Sequence, residues 1–308
     1  MWEGNQRVTS RRGKLFLAVL AGLIGWIYFA SEHEIQRRYV VPLPPVGAPA
    51  HSGETAQVAG GLLERGRHLV TVVAQCQFCH GMDLGGRVIA DDPFLGRIDA
   101  SNLTRGTGGI ANRYTRRDWE NAIRYGVRPD RGSLVLMPSI HLAHLAPDDL
   151  DAIIDYVLSV PPVDRVQRER APGWVARTLI ALGQVDDIFS AKRGLAASDP
   201  IRSDLAGERA TGSGAYLVEI GNCRVCHGME LGGGLHPLAL PGEPEPPALM
   251  GRRAMDGWTF ADFSAAMRAG RTPTGRVLDP DYMPWPGYSG LADEEVLALW
   301  RFLKGDEG

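Results

Sequence analysis

The sequence contains little cysteine and very little lysine for its length. Only four of 308 residues are cysteine, which excludes the disulfide frameworks that stabilise small secreted domains. Lysine occurs only at Lys14, Lys192 and Lys304, and the other 30 of the 33 basic residues are arginine. A lysine-rich docking face is therefore excluded, and a basic patch would consist of arginines, which pair bidentately with carboxylates. The net charge of −3 gives no indication of nucleic-acid binding.

Long hydrophobic runs are also scarce, and the uncharged run from Leu15 to Ala30 has a basic flank. Sixteen residues of helix span about 24 Å, slightly less than the ~30 Å hydrocarbon core of a bilayer. Trp26 and Tyr28 lie near its far end, where interfacial aromatic residues belong. The flank contains Arg7, Arg11, Arg12 and Lys14. Because positive flanks stay in the cytoplasm, the pattern predicts that everything after Ala30 is exported.

A cleaved signal peptide is the alternative interpretation of this segment. A cut after Ala30 would place bulky Tyr28 where the cleavage rule requires a small residue. We therefore predict an uncleaved single-pass anchor, with the rest of the chain in the periplasm of a bacterium.

All four cysteines belong to two Cys-x-x-Cys-His motifs, and the sequence between and around them repeats. The first motif is Cys76-x-x-Cys79-His80 and the second is Cys223-x-x-Cys226-His227. This motif is the attachment signature of c-type haem, because two thiols at this spacing can both bond to the haem vinyl groups while the histidine ligates the iron. The sequence therefore predicts two covalently bound haem c groups.

Other uses of these cysteines fit less well. A thioredoxin-type pair needs neither the following histidine nor a second copy. In a zinc site, adjacent Cys79 and His80 would strain to share one tetrahedral ion, and no further cysteine completes either set.

The second half of the chain repeats the first in order and spacing. Each motif continues as Gly-Met-acidic-Leu-Gly-Gly, and later Thr115-x-x-Asp118 matches Thr259-x-x-Asp262. These threonines are predicted helix N-caps, with Asp at the third helical position as in a capping box. Matched glycines, Gly126 and Gly270, are predicted C-caps. Further helices are predicted at 61–74, before the first motif, and at 147–160 and 293–303, which close the two copies.

The repeat divides the chain into six predicted segments. They are a cytoplasmic N-terminus 1–14, an anchor 15–31, a Pro-rich spacer 32–57, a first haem domain 58–163, a linker 164–205 and a second haem domain 206–308. Apolar residues near helical spacing from Trp174 to Phe189 predict a linker helix that packs on the two domains. A helix that docks on a membrane or a partner is the alternative.

Methionines at matched positions are the candidate sixth ligands of the two irons. Met137 follows His80 by 57 residues and Met283 follows His227 by 56, and each precedes a proline. His141 and His144 are rival ligands in the first half but have no counterpart in the second. His/Met ligation fills both axial positions and is typical of cytochromes that carry electrons. The predicted haem-binding residues are Cys76, Cys79, His80, Met137, Cys223, Cys226, His227 and Met283, of which His80, Met137, His227 and Met283 bind the metal.

Each half resembles a class I cytochrome c domain, over about 58–163 and 206–308. The resemblance implies an all-α fold: two tandem class I cytochrome c domains behind an N-terminal transmembrane helix. The run after Cys79, followed by Asn102-Leu103-Thr104 and by Gly126-Val127-Arg128-Pro129-Asp130, is similar to the multihaem cytochrome subunits of membrane-bound alcohol and sugar dehydrogenases. In that family the Asn-Leu-Thr loop lies beside the haem. This chain departs from the family in having two haem motifs, an N-terminal anchor and Pro247-Ala248-Leu249 where a second such loop is expected.

The expected function is single-electron transfer at the outer face of the cytoplasmic membrane. The chain would be a subunit of, or an electron acceptor for, a larger respiratory complex or dehydrogenase, and would not be an enzyme itself. A dihaem cytochrome c peroxidase-like enzyme is one alternative, although it would need an iron with an openable position. A dihaem subunit of a cytochrome oxidase is the other alternative, which keeps the chemistry and changes the partner.

Overall fold

The computed structural model describes residues 3–42, 56–168, 171–197, 213–234, 242–251 and 254–305. Half of the predicted spacer 32–57, the linker residues 198–205, the start of the second predicted domain and the last three residues of the chain lie outside the described residues. The described part is mainly helical. Its first half contains the helices α1 (Glu3–Ile35), α2 (Ala56–His68), α3 (Cys76–His80), α4 (Arg116–Tyr125), α5 (Ser139–Leu142) and α6 (Pro147–Ser159). Its second half contains α7 (Trp174–Ala181), α8 (Ser190–Ala197), α9 (Gly214–Ile220), α10 (Cys223–His227), α11 (Phe260–Ala269), α12 (Trp285–Tyr288) and α13 (Asp293–Lys304).

Helix α1 is longer at both ends than the predicted anchor 15–31. Its part from Gly13 to Ile35 contains a continuous apolar window of 18 residues, none of which is buried in the protein. Among the described residues it is the helix whose length and composition would let it cross a membrane. Helix α1 is therefore compatible with a single-pass anchor.

A small antiparallel sheet lies between the first motif and α7. Its strands, in the order β1-β2-β3, are β1 (Val88–Asp92), β2 (Gly96–Asp99) and β3 (Ala171–Pro172). The all-α prediction did not include this sheet. Its first two strands are short and partly polar, and its third strand is two residues from the linker, so no local period-2 pattern marks it.

The two halves build matching helices around one continuous core. Helix α2 continues through a π-helical turn, Leu69–Val73, which delivers the first motif, and it packs against α6. In the second half α9 takes the place of this turn and packs against α13. The buried apolar residues of both halves belong to one cluster, which includes Leu69, Ile154, Leu217 and Leu299. The halves are thus packed on each other through apolar side chains.

Capping residues and other local sequence patterns predicted most helix ends correctly. Thr115 and Thr259 are N-caps with complete capping boxes to Asp118 and Asp262. Gly126 (φ 66°) and Gly270 (φ 63°) are left-handed C-caps, as predicted. The closing helices begin where expected and end within one residue of the predicted positions.

The linker prediction was too simple. The single helix expected from Trp174 to Phe189 is α7 alone, which ends at Ala181 and is followed by Gly183 with φ 66°. A 3₁₀ turn at Asp186–Ile188 and helix α8 follow. The left-handed glycine ends the helical path, which the apolar spacing did not reveal.

Candidate functional site

Both Cys-x-x-Cys-His motifs fold into one short helix with the same entry and exit. A left-handed residue precedes each helix: Gln75 (φ 46°) before α3 and Asn222 (φ 58°) before α10. A glycine follows each, with φ and ψ of 81° and 156° at Gly81 and of 80° and 158° at Gly228. The helical turn places the two thiols and the imidazole of each motif on one short segment, as haem attachment requires.

The histidines are held in the tautomer that leaves Nε2 free. His80 Nδ1 lies 2.8 Å from the carbonyl oxygen of Ser101, and His227 Nδ1 lies 2.8 Å from that of Pro247. Because a carbonyl oxygen can only accept, Nδ1 carries the proton and Nε2 presents a lone pair. Burial lowers the pKa of both histidines, although the hydrogen bond to the carbonyl opposes this shift. Each imidazole is therefore neutral and offers a nitrogen lone pair that could bind a metal ion.

The cysteine thiols lack the electrostatics of a redox-active pair. Burial raises the pKa of Cys76 to about 12 and that of Cys223 to about 12, and it also raises the pKa of Cys79 and Cys226. Reactive Cys-x-x-Cys motifs need a lowered thiol pKa. Within the described residues no group of three or more His, Cys, Asp or Glu side chains could hold a metal ion. These observations argue against the thioredoxin-type and zinc interpretations.

A tight turn after each histidine is hydrogen-bonded to the loop whose carbonyl orients that histidine. Leu84 and Leu231 both have φ 55° and accept hydrogen bonds from the amides of Leu103 and Leu249, each at 2.8 Å. Gly86 has φ 83°, and a Cβ there would lie 2.5 Å from the carbonyl oxygen of Ala100. Only glycine fits this close approach. The two loops thus reach the same geometry with different sequences.

Asn102 explains why the first loop contains Asn-Leu-Thr. Its side chain is buried, and its Nδ2 donates to the carbonyl of Val163 at 2.7 Å while its Oδ1 accepts from the amide of Thr104 at 2.9 Å. It is adjacent to Ser101, whose carbonyl orients His80, so it is a positioning residue. Ala248 follows Pro247 in the second loop, which therefore lacks these hydrogen bonds.

The candidate axial methionines lie in equivalent loops ahead of α5 and α12. Met137 and Met283 are partly buried against the core, and each carbonyl accepts from the amide two residues on, at 2.8 and 2.6 Å. The prolines that follow them have ψ 48° and 51°. Met82 and Met229, which follow the motifs directly, are 80% and 45% exposed. The local geometry of the two Met-Pro segments is therefore repeated.

His141, the rival ligand, has a different partner. It is 1% exposed, and its Nδ1 lies 3.1 Å from Glu219 Oε2, on the second half of the chain. Glu219 Oε1 also accepts from Arg224 at 2.7 Å. His141 thus contributes to the packing of the halves, a role that sequence reasoning missed because its partner is 78 residues away.

The two motifs begin beside each other, which the sequence did not indicate. Asn222 Nδ2 donates to the carbonyl of Ala74 at 3.2 Å. Cys76 and Cys223 follow these two residues closely along the chain. Tyr288 Oη donates to the carbonyl of Gly221 at 2.7 Å and is buried. The attachment segments of the two halves are therefore in direct contact.

The residues present fit a covalently attached haem in each half. The thiols are partly accessible, each imidazole offers Nε2, and apolar side chains surround both motifs. In the first half Trp119 Nε1 is a buried donor without a partner in the described part of the chain. A carboxylate of a bound haem could accept the hydrogen bond that this donor does not make within the protein.

Comparison with known proteins agrees with this chemistry. Residues 61–157 match the family described as cytochrome C oxidase, cbb3-type, subunit III. The chain is 25% identical over 280 residues to the gluconate 2-dehydrogenase cytochrome c subunit of Pantoea cypripedii, covering 80% of this chain and 60% of that protein. It is 26% identical over 280 residues to the cytochrome c subunit of alcohol dehydrogenase (quinone) of Gluconacetobacter polyoxogenes, covering 82% of this chain and 57% of that protein.

A third relative has a length closer to that of this chain. The chain is 30% identical over 216 residues to a diheme cytochrome c-type protein of Cereibacter sphaeroides, covering 65% of this chain and 67% of that protein. The chain thus spans less than two thirds of the length of the two dehydrogenase subunits and two thirds of the length of the diheme protein.

Proposed function

The chain belongs to the c-type cytochrome family, and on this basis we propose that it is a dihaem electron carrier anchored to the outer face of a bacterial cytoplasmic membrane. Members of the family carry covalently bound haem c, which supplies a reversible one-electron couple when bound. The observation that carries the proposal is the repeated histidine geometry: His80 and His227 each donate through Nδ1 to a loop carbonyl at 2.8 Å.

Two tandem class I cytochrome c domains explain why so much local geometry occurs twice. The left-handed entries, the exit glycines, the leucine turns and the capping boxes all recur in the same order. Residues 58–163 and 206–308 would each bind one haem, through Cys76, Cys79 and His80 and through Cys223, Cys226 and His227.

We assign Met137 and Met283 as the sixth ligands. Their matched loops, their partial burial and the exposure of Met82 and Met229 support this assignment. His141 and His144 have no counterpart in the second half, which weakens the bis-histidine alternative in the first half. Each iron would have an imidazole in one axial position and a thioether in the other, so neither iron would bind peroxide. The chain would therefore move electrons without transforming a substrate.

Electrons would pass between the two sites within one chain. Support comes from the hydrogen bond between Asn222 and the carbonyl of Ala74, which joins the segments leading into the two motifs. One site would accept from the donor and the other would deliver to the acceptor. Magnetic interaction between the two oxidised irons, measured by electron paramagnetic resonance, tests this proximity; two independent spectra would contradict it.

The partner would be a larger oxidoreductase complex at the membrane. Two relatives are cytochrome c subunits of dehydrogenases by name, and their identities of 25% and 26% extend over 80% and 82% of this chain. We therefore favour a dehydrogenase as the electron donor. The family match over 61–157 concerns an oxidase subunit, so an oxidase complex is the second candidate. The positive flank of α1 would stay in the cytoplasm and the haem sites would face the periplasm.

Mass and turnover measurements on the purified chain test the proposal. The intact mass should exceed that of the polypeptide by two haems, and haem staining should survive a denaturing gel. The reduced protein should give up electrons rapidly to a soluble cytochrome or an oxidase and show no peroxide turnover. A mass increase of one haem or none, or peroxide turnover on the order of 1–1,000 per second, as enzymes show, would overturn it.

A further inference from the structure

Helix α7 packs along the last turns of the apolar part of α1. Arg177 donates to Ser31 Oγ at 3.0 Å and to Glu32 Oε2 at 3.0 Å, and its guanidinium lies 4.8 Å from the centroid of the Tyr28 ring. Ser31 is fully buried by this packing. The contact therefore reaches Tyr28, which belongs to the uncharged run ending at Ala30.

The contacts of Arg177 fix the height of α7 relative to α1. Lys192 Nζ, farther along the chain, lies 3.4 Å from Glu34 and 2.7 Å from Asp186. Arg177, earlier in the chain, lies at the level of Tyr28 to Glu32. Trp174 lies about 4.5 Å before Arg177 along the helix axis. Trp174 therefore lies within about one helical turn of the level of Tyr28 to Glu32, where the apolar part of α1 ends.

Exposed apolar side chains surround this first turn. Trp174 is 56% and Val175 is 43% exposed, and Phe94 and Leu95, in the β1–β2 turn, are 67% and 40% exposed. The backbone joins them, because the Val175 amide donates to the Phe94 carbonyl at 3.1 Å and the Gly173 amide to the Leu95 carbonyl at 3.0 Å. We call Phe94, Leu95, Trp174 and Val175 the apolar patch. Such patches on a protein surface mark contacts with a membrane or a partner.

The charged groups around the patch are already paired. Asp92 Oδ1 accepts from the amides of Phe94 and Leu95 at 2.8 and 2.7 Å. Asp91 pairs with Arg97, which also pairs with Asp99. Arg177 has the partners named above and is 17% exposed. Approach to an apolar medium would therefore leave none of these charges alone.

We propose that the apolar patch inserts into the outer leaflet of the membrane that α1 crosses, at the boundary of headgroups and acyl chains. The inference rests on the proposed function, because it takes α1 as a membrane anchor. We identify lipid as the medium that contacts the patch, because the patch lies at the height where the spanning helix α1 ends. A protein surface at that height contacts the bilayer. Trp174 and Phe94 would extend the ring of aromatic side chains that Trp26 and Tyr28 begin. The anchor and patch together would hold the first haem domain at a fixed height and orientation.

Photocrosslinking from lipid tests this contact on the full chain. The haem-loaded protein is reconstituted into nanodiscs that contain a diazirine-bearing phosphatidylcholine, irradiated and mapped by peptide mass spectrometry. Lipid adducts are expected on α1, on the peptide that contains Phe94 and Leu95 and on the peptide that contains Trp174 and Val175. The peptide with Val277, which is 60% exposed on the second half, should carry none.

A double variant separates lipid contact from chance labelling. Phe94→Ser with Trp174→Ser should reduce adducts on both patch peptides severalfold and leave those on α1, while the matched Val277→Ser with Tyr282→Ser should change nothing. Adducts confined to α1 would overturn patch insertion and leave the anchored electron carrier intact, as haem content and reduction of the same sample would show. Absence of adducts from α1 as well would overturn the anchor and, with it, patch insertion.

Discussion

Among single residues, the hydrogen bonds made behind the histidines decide what these side chains can do. His80 and His227 each donate a hydrogen bond from Nδ1 to a loop carbonyl, so Nε2 points a lone pair away from the loop. Asn102 holds the first of these loops through buried hydrogen bonds. The second loop reaches the same geometry with Ala248 in its place, so it lacks the side-chain hydrogen bonds that Asn102 makes.

Replacing one axial methionine tests the ligand assignment. Met137→His should remove about half of the weak near-infrared sulfur-to-iron band of the oxidised protein, because one of two thioether ligands is lost. It should also lower one reduction potential, since His/Met ligation raises the potential. Met82→Leu, at a position 80% exposed, is the control and should leave both unchanged. A normal band in Met137→Ala would transfer the assignment to His141 or His144.

Asn102 should be important for the stability of the first half. Asn102→Ala leaves the amide of Thr104 and the carbonyl of Val163 without their buried partner, which costs about 1–3 kcal/mol per group. A lower melting temperature and a shifted potential at one haem are expected. Asn112→Ala, which removes an exposed hydrogen bond to Arg105, should have little effect. Equal effects of the two substitutions would show that Asn102 has no special positioning role.

The sequence alone predicts the site residues that lie close together along the chain. Cys76, Cys79 and His80 form one turn, so their spacing alone predicts their chemistry. The contacts of His141 with Glu219 and of Asn222 with Ala74 join residues 78 and 148 positions apart. No local pattern encodes such pairs, because they depend on how the two halves pack.

At the level of helices and strands, the local capping signals explain why the boundaries of the helices were predictable. A threonine side chain that accepts from the amide three residues on satisfies a donor that the helix itself cannot. Both capping boxes are present where the repeat predicted them. The sheet escaped prediction because Ala171 and Pro172 pair with residues more than 70 positions earlier.

Removing either cap should destabilise its own half. Thr115→Ala and Thr259→Ala should each cost about 1 kcal/mol, the usual loss for an N-cap side chain. Thermal unfolding followed by far-ultraviolet circular dichroism measures this cost. Thr274→Ala, an exposed threonine outside any helix, is the matched control. A loss no greater than that of the control would show that the capping boxes contribute nothing measurable.

At the scale of the whole molecule, a polar cluster reinforces the apolar contact between the halves. Glu295 of α13 lies 2.8 Å from His68 of α2, and Tyr216 of α9 donates to Asp149 of α6 at 2.6 Å. Arg65 pairs with Asp149 at 2.9 Å. These contacts link elements of both halves, so the relative position of the two sites depends on them.

Acid should weaken this link in a defined direction. Burial alone would raise the pKa of Glu295, but hydrogen bonds from His68 and from the Ala292 amide leave that pKa below its usual 4.5. The stabilisation is therefore present above pH 4.5 and is lost as the pH falls through the folded-state value. Glu295→Gln should be less stable than the native chain at pH 7, by about 1–3 kcal/mol, and the difference should shrink as the pH falls below 4.5.

Melting temperatures from pH 3 to 7 measure this dependence. Glu294→Gln, at the exposed position before Glu295 on α13, is the control and should run parallel to the native chain. A Glu295→Gln deficit that stayed constant down to pH 3 would contradict the pKa argument.

The central claim, that one chain carries two one-electron centres, is tested most directly by an anaerobic reductive titration of the purified full-length protein. The absorbance of the reduced haem is followed as electrons are added. We predict uptake of two electrons per chain and complete conversion of both haems. Uptake of one electron or none, or a fraction of haem that stays oxidised at the end of the titration, would contradict the account.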